Sequence, residues 1–312
     1  MSTRYPIDPE LRFLSGFNAP LGAALTRAAQ PLLRALPKNL DPRHLALRRA
    51  DLPPEGAAPP LRIFALSPRD AGETEALPWV LYLHGGAFMH AAVPAQYRLA
   101  GEYALGARCR ILIPDYRLTP TYPYPAGLND CLRALRHARE HGADLGIRPD
   151  RLIIAGDSAG GSLALDTFLA ARGENPAFAP LGLMLVYPVV DPRQVTASMQ
   201  DFDDTPIWNA RKNALMWQRY LRGAAGKGYV SPLARTEEFA GLANLYVEVE
   251  EFDCLHDEGA LLFEALSPRV PHAVLRDNPG TYHGFEFHHR AAITRASVES
   301  RVAFLREAFA GF

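Results

Sequence analysis

Short apolar runs alternate along this chain with stretches whose apolar residues recur every three or four positions. The runs Leu61–Leu66, Trp79–Leu83, Arg110–Ile113, Arg151–Ala155, Leu181–Tyr187, Leu245–Val249 and Ala273–Leu275 read as strands. Helical spacing is clearest at Leu128–Arg139, Leu163–Ala171, Leu261–Leu266 and Ile293–Phe309. Strands alternating with helices predict a mostly parallel sheet covered on both faces. Before the first strand, Leu21, Ala24, Leu25, Ala28, Leu32, Leu33 and Leu36 keep a helical period, with Pro31 expected to kink or split the helix. The proline-rich stretch Leu52–Pro60 reads as a loop. Between Val190 and Gly228 the alternation breaks, and an amphipathic run from Trp208 to Tyr220 takes its place. The expected organisation is a helical N-terminal cap segment over residues 1–50, a core over 51–190 and 229–312, and a cap insertion over 191–228.

Composition narrows the class. With 312 residues, 48 % of them hydrophobic, the chain can bury one large core of roughly 250 residues and a smaller appendage. The 33 basic and 34 acidic residues leave a net charge of −1 and no electrostatic footprint for nucleic acid or an anionic membrane. No apolar run approaches the ~18–20 residues of a membrane span. Cys109, Cys131 and Cys254 lack CxxC spacing, so free thiols are expected rather than a disulfide framework or a zinc site. Met1-Ser-Thr-Arg-Tyr-Pro6 carries no long apolar run, which reads as no signal peptide and gives a cytoplasmic expectation.

Four motifs carry chemistry. Gly156-Asp-Ser-Ala-Gly-Gly161 contains GxSxG, which a chain of this length meets by chance about one time in ten. Its setting sharpens it, because a strand precedes it and a helix begins at once after it. Strand, tight turn and helix make a nucleophile elbow that lifts Ser158 to the sheet edge, with a helix N-terminus behind it. A phosphate-binding loop is the alternative, but neither GxGxxG nor GxxxxGK[ST] is matched. His84-Gly-Gly-Ala-Phe88 follows another strand directly. Its small residues let backbone N–H groups approach a substrate oxygen closely, and the N–H of Ala159 would add a donor from the elbow side.

After the strand Leu245–Val249 come five carboxylates, Glu250, Glu251, Asp253, Asp257 and Glu258. One acid at a strand end can hold a histidine in the required tautomer. Asp257 and Glu258 fit the first turn of the next helix, where acids suit the dipole, and spacing alone leaves Asp253 one candidate among its neighbours. His283 lies in the turn-rich stretch Asn278-Pro-Gly-Thr-Tyr-His-Gly-Phe285 after the last strand. His288 and His289 compete with it, and with Glu286 they form a histidine-rich cluster. No second cluster at ligand spacing accompanies them, so no metal is expected. Ser158, an acid and His283 run in the chain order of the α/β-hydrolases, not that of the chymotrypsin or subtilisin folds.

Together these residues resemble the hormone-sensitive-lipase-like branch of the α/β-hydrolases, of the bacterial acetyl esterase or carboxylesterase type. The resemblance runs from about Trp79 to Phe285. It rests on His84-Gly-Gly-Ala-Phe88, Asp115-Tyr-Arg-Leu-Thr-Pro120, Tyr124-Pro125, the elbow, Tyr187-Pro188, Asp253-Cys-Leu-His-Asp-Glu258 and His283-Gly-Phe285. It implies an α/β-hydrolase fold, Asp253 as the acid, oxyanion donors on Gly85, Gly86, Ala87 and Ala159, and a cap built partly from the N-terminal helices. The chain departs from the family pattern at Ala87, where a third glycine is common, at Cys254, where proline is usual, and at Thr121, where glutamate is usual. Tyr116, Arg117 and Asp157 read as structural supports.

The expected activity is hydrolysis of small-molecule esters with short acyl chains by a serine carboxylesterase, through an acyl-enzyme and without a cofactor. An amidase or N-deacylase with the same triad is the rival within enzymes. A ligand-binding receptor on the same fold is the rival outside them. A homodimer is left open.

Overall fold

The computed structural model describes residues 4–14, 23–36, 38–72 and 75–311. In chain order the elements are α1 (Ala23–Ala35), β1 (Leu45–Leu52), β2 (Leu61–Pro68), β3 (Leu77–Leu83), α2 (Pro94–Gly106), β4 (Arg110–Pro114), α3 (Ala126–Glu140) and the single turn α4 (Gly142–Leu145). They continue with β5 (Ile147–Asp157), α5 (Ala159–Glu174), β6 (Gly182–Val186), α6 (Ala197–Asp201), α7 (Ala210–Tyr220), β7 (Asn244–Glu250), α8 (His256–Leu266), β8 (His272–Asn278) and α9 (Ala292–Ala310). Eight strands form one sheet in the order β1-β2-β4-β3-β5-β6-β7-β8. β2 pairs antiparallel with β1 and β4, and every other pair is parallel.

Both sheet faces are covered, so the central strands are apolar on both sides. In β3 the alternation is visible residue by residue. Trp79, Leu81 and Leu83 join a core with α3 and α5, while Val80 and Tyr82 join a second core with α2 and α9. β4, β6 and β7 are buried along their whole length.

Two expectations need correction. The segment expected to stay helical through residue 50 instead contributes β1 from Leu45, which runs to Leu52 at the sheet edge. Only its end residues, Leu45 and Leu52, are buried, because an edge strand packs little and tolerates Arg48, Arg49 and Asp51 facing water. Pro31 does not split the N-terminal helix, which continues through it to Ala35. The start expected for that helix, at Leu21, lies outside the described residues. Between β6 and β7, where the alternation breaks, the structure has α6, α7 and short 3₁₀ turns.

Candidate active site

The parallel order sends the carboxyl ends of β5, β6, β7 and β8 to one edge of the sheet, where ligands bind in open α/β sheets. β5 leads into Ser158, which has φ +56°. That conformation is disfavoured for a residue with a side chain and is the strained turn of an elbow. Neighbouring backbone enforces it. A Cβ on Gly156 would lie 2.1 Å from the Gly160 carbonyl oxygen, and one on Gly160 would lie 1.8 Å from that of Leu83. The Ser158 N–H donates to the Val186 carbonyl at 2.9 Å, which ties the elbow to β6.

β7 and β8 are neighbours, so the loops that follow them meet. Backbone bonds stitch them together: Glu251 N–H donates to Asn278 O at 3.2 Å and Phe252 N–H to Thr281 O at 2.9 Å. Asp253, on the first loop, is fully buried. His283, on the second, brings Nδ1 to 2.6 Å from Asp253 Oδ2 and Nε2 to 2.9 Å from Ser158 Oγ. Asp253 Oδ1 accepts the Leu255 N–H at 3.0 Å, which fixes the carboxylate plane.

The other carboxylates of that loop are engaged elsewhere. Glu250 accepts the Thr281 hydroxyl, and Glu251 accepts the Gly280 N–H at 2.6 Å. Asp257, in the first turn of α8, accepts the Ser198 N–H at 2.8 Å and pairs with His256. Glu258 accepts the Val190 N–H at 2.6 Å. Burial pushes the Glu250 and Glu258 carboxyls well up, opposite to what a standing carboxylate requires.

The glycine loop after β3 folds back over the elbow. Gly86 has φ +123°, and a Cβ there would meet the His90 carbonyl at 2.7 Å, so glycine is required. The N–H groups of Gly85, Gly86, Ala87 and Ala159 donate to no group among the described residues. Asp157 sits beneath the loop as a support, accepting from Tyr82 Oη at 2.6 Å and Gln96 Nε2 at 2.8 Å. Tyr116 stacks on His84 and donates to its carbonyl at 2.7 Å. Arg117 is held by Asp130 and the Ala126 carbonyl. Tyr116, Arg117 and Asp157 therefore all act on protein groups.

The other histidines stand apart. His288 Nε2 lies 2.9 Å from the Tyr282 hydroxyl, and His289 is exposed. Glu286 turns inward to accept the Tyr187 hydroxyl. No group of three His, Cys, Asp or Glu side chains among the described residues is placed to hold a metal ion.

Residues to which the sequence reading gave no role in the site complete the surroundings. The Tyr187 ring lies 4.3 Å from that of His283 and the Trp208 ring 5.9 Å from it, centre to centre. From α1, Gln30 accepts the Ala91 N–H at 3.0 Å and donates to the Met89 carbonyl, so this helix sits on the glycine loop. A cavity of about 370 Å³ opens over Ser158 and His283, walled by Leu33, Ala87, Ile207, Trp208 and Lys212 among others. Its lining is mostly apolar. Tyr187 follows a strand and precedes a proline, which marks it as a strand-end residue. The rest carry no local signal, since their partners lie many residues away.

The sheet order and the strand-end loops define an α/β-hydrolase fold. The family model described as the alpha/beta hydrolase fold matches residues 80–287, and the chain belongs to that family, in its hormone-sensitive-lipase-like branch. It is 32 % identical over 243 residues to Esterase LipI of Mycobacterium tuberculosis, covering 77 % of this chain and 75 % of that one. It is 28 % identical over 298 residues to Carboxylesterase NlhH of the same species, covering 90 % and 89 %. Among solved structures, Bacterial Heroin Esterase superposes with a TM-score of 0.84 at 28 % identity, covering 97 % of this chain and 98 % of that one.

Proposed function

We propose that this chain is a serine carboxylester hydrolase that cleaves small esters with short acyl groups through an acyl-enzyme. The observation that carries the reading is the hydrogen-bonded line from Asp253 Oδ2 to His283 to Ser158 Oγ, at 2.6 and 2.9 Å, beneath an apolar cavity. Esterase names among the relatives support it.

In this reading His283 Nε2 takes the hydroxyl proton of Ser158 as Oγ attacks the ester carbonyl carbon. The imidazolium so formed donates from Nδ1 to Asp253, whose buried carboxylate stabilises it. The carbonyl oxygen becomes an oxyanion received by N–H groups of the glycine loop and of Ala159, donors already fixed in place that serve no other group among the described residues. His283 Nε2 then protonates the leaving alkoxide, and the carbon–oxygen bond breaks to leave an acyl group on Ser158. Water enters by the same route, its proton passing to His283 and then to Ser158 Oγ as the acid departs.

α1 together with the α6–α7 segment serves as the cap. At about 370 Å³ the cavity is near the small end for ligand sites, which suits short acyl groups. Three free, buried cysteines suit a reducing compartment, and no helix among the described residues is long and apolar enough to cross a membrane.

The test is a panel of nitrophenyl esters of rising acyl length, run with the matching anilides. Turnover should be greatest at roughly two to six carbons and far lower on anilides. Ser158→Ala should remove turnover by several powers of ten, together with fluorophosphonate labelling. Labelling at another serine would overturn the assignment.

A further inference from the structure

Lys212 is the third residue of α7 and lines the cavity that holds Ser158 and His283. Its placement is unfavourable on three counts. The side chain is half-buried in a mostly apolar wall. It occupies the first turn of a helix, where the macrodipole opposes a cation. No carboxylate pairs with it among the described residues; its Nζ donates to the Ile207 carbonyl at 2.6 Å, which uses one of three donors. Burial lowers its ammonium, and no neighbouring acid offsets this.

No acid of the lining forms an ion pair with it among the described residues: Asp157, a carboxylate in the same wall, accepts instead from Tyr82 and Gln96 beneath the glycine loop. Burial lowers the His90 imidazole, which favours its uncharged form. The standing charge that a ligand meets on the cap side of the cavity is a cation, reinforced by the positive end of α7. Four other cations, Arg34, Arg117, Arg133 and Arg301, are each paired with acids.

We propose that Lys212 selects short esters that carry a free carboxylate, which it binds against Trp208 while Ser158 attacks the ester carbonyl. This rests on the ester-hydrolase reading and adds the substrate class. The carboxylate can belong to the acyl part or to the alcohol part, and two substrate pairs separate these sources. Monomethyl glutarate against dimethyl glutarate tests the acyl side. 4-Acetoxybutanoate against butyl acetate tests the alcohol side.

Initial rates by pH-stat, at low salt and in 0.5 M NaCl, give kcat/KM for each ester. On one of the two pairs, the carboxylate-to-neutral ratio should fall at least tenfold in Lys212→Met. Lys212→Arg should keep most of the ratio, and salt should compress it in the parent enzyme. A ratio that Lys212→Met leaves unchanged on both pairs overturns the proposal.

A binding readout separates this from failure of the hydrolase reading. The chain's lysines are Lys38, Lys212 and Lys227, so ¹³C-methylated lysine spectra are simple. Free glutarate should move the Lys212 resonance saturably, and pentanol should not. Movement without hydrolysis of any ester would remove the hydrolase reading while supporting anion recognition. No movement, with esters hydrolysed normally, would remove the anion site.

Discussion

Asp166 lies on α5, two turns beyond Ser158, and is 4 % exposed. One of its oxygens, Oδ2, has no hydrogen-bond partner among the described residues. Burial pushes its carboxyl from 3.8 up to about 7, with Arg235 and Tyr229 opposing the rise. The folded chain therefore keeps a proton that the unfolded chain releases. Stability from this group is full below the unfolded value near 4 and declines as pH rises, until the folded group ionises near 7. About three pH units at about 1.4 kcal/mol each make the burden at pH 8 on the order of 4 kcal/mol; at pH 5 it is on the order of 1–2 kcal/mol. Asp166→Asn keeps the shape and removes the titration. Urea unfolding of both proteins at pH 5 and pH 8 gives a double difference in which other titrating groups cancel. The variant should gain roughly 2–3 kcal/mol more at pH 8 than at pH 5. An equal gain at both pH values, or a larger one at pH 5, would refute the reasoning.

Two pairs of variants test the acid and the elbow helix. Asp253→Asn should lower kcat by several powers of ten with KM nearly unchanged, because the amide favours the wrong imidazole tautomer. Asp257→Asn should stay within a few-fold, since that carboxylate serves Ser198 and His256; equal losses in steady-state kinetics would mean that the acid is misassigned. Gly160→Ala should fail to fold or lose many degrees of melting temperature, since its Cβ would lie 1.8 Å from the Leu83 carbonyl. Gly173→Ala, in the same helix with open space around it, should gain about 0.5–1 kcal/mol in the same melts.

What the sequence disclosed follows from burial. Central parallel strands are covered on both faces, so β3, β4 and β6 read as near-continuous apolar runs whose ends could be placed, and β7 as one interrupted by Glu248. β1 escaped because an edge strand needs few apolar residues and carries charges that suit a loop equally well. The elbow was legible because strand, turn and helix are contiguous. The choice among five carboxylates was not legible from spacing, because residue type is the same and only tertiary partners differ. Gln30 against Met89, and Trp208 against His283, are likewise contacts between distant segments that no local period announces.

The geometry divides the work between two parts of the chain. Ser158, Asp253 and His283 are at most 6 % exposed and stand on loops that short backbone bonds tie to adjoining strands. Behind the histidine loop, Glu248 and Arg301 form a buried ion pair that also engages Tyr246, Ser297 and Asn278, and Arg301 donates on to Tyr103. A buried pair of this kind adds little net stability over an apolar substitute, but removing one partner is costly, because it leaves a charge buried and unpaired. Here it locks Asn278, the last residue of β8, and so fixes the start of the loop that carries His283. The walls facing the ligand are built otherwise. Leu33 comes from α1, Ile207 and Trp208 from the segment leading into α7, and Lys212 from the first turn of α7. Of these Leu33, Ile207 and Lys212 are only partly buried, and they reach the core through a few side-chain contacts rather than through the sheet. A rigid frame holds reacting atoms within the few tenths of an ångström that proton transfer demands, whereas a peripheral wall can change shape without disturbing them. Substitutions on the sheet-edge loops should therefore decide whether any ester is cleaved. Those on α1 and α7 should decide which one.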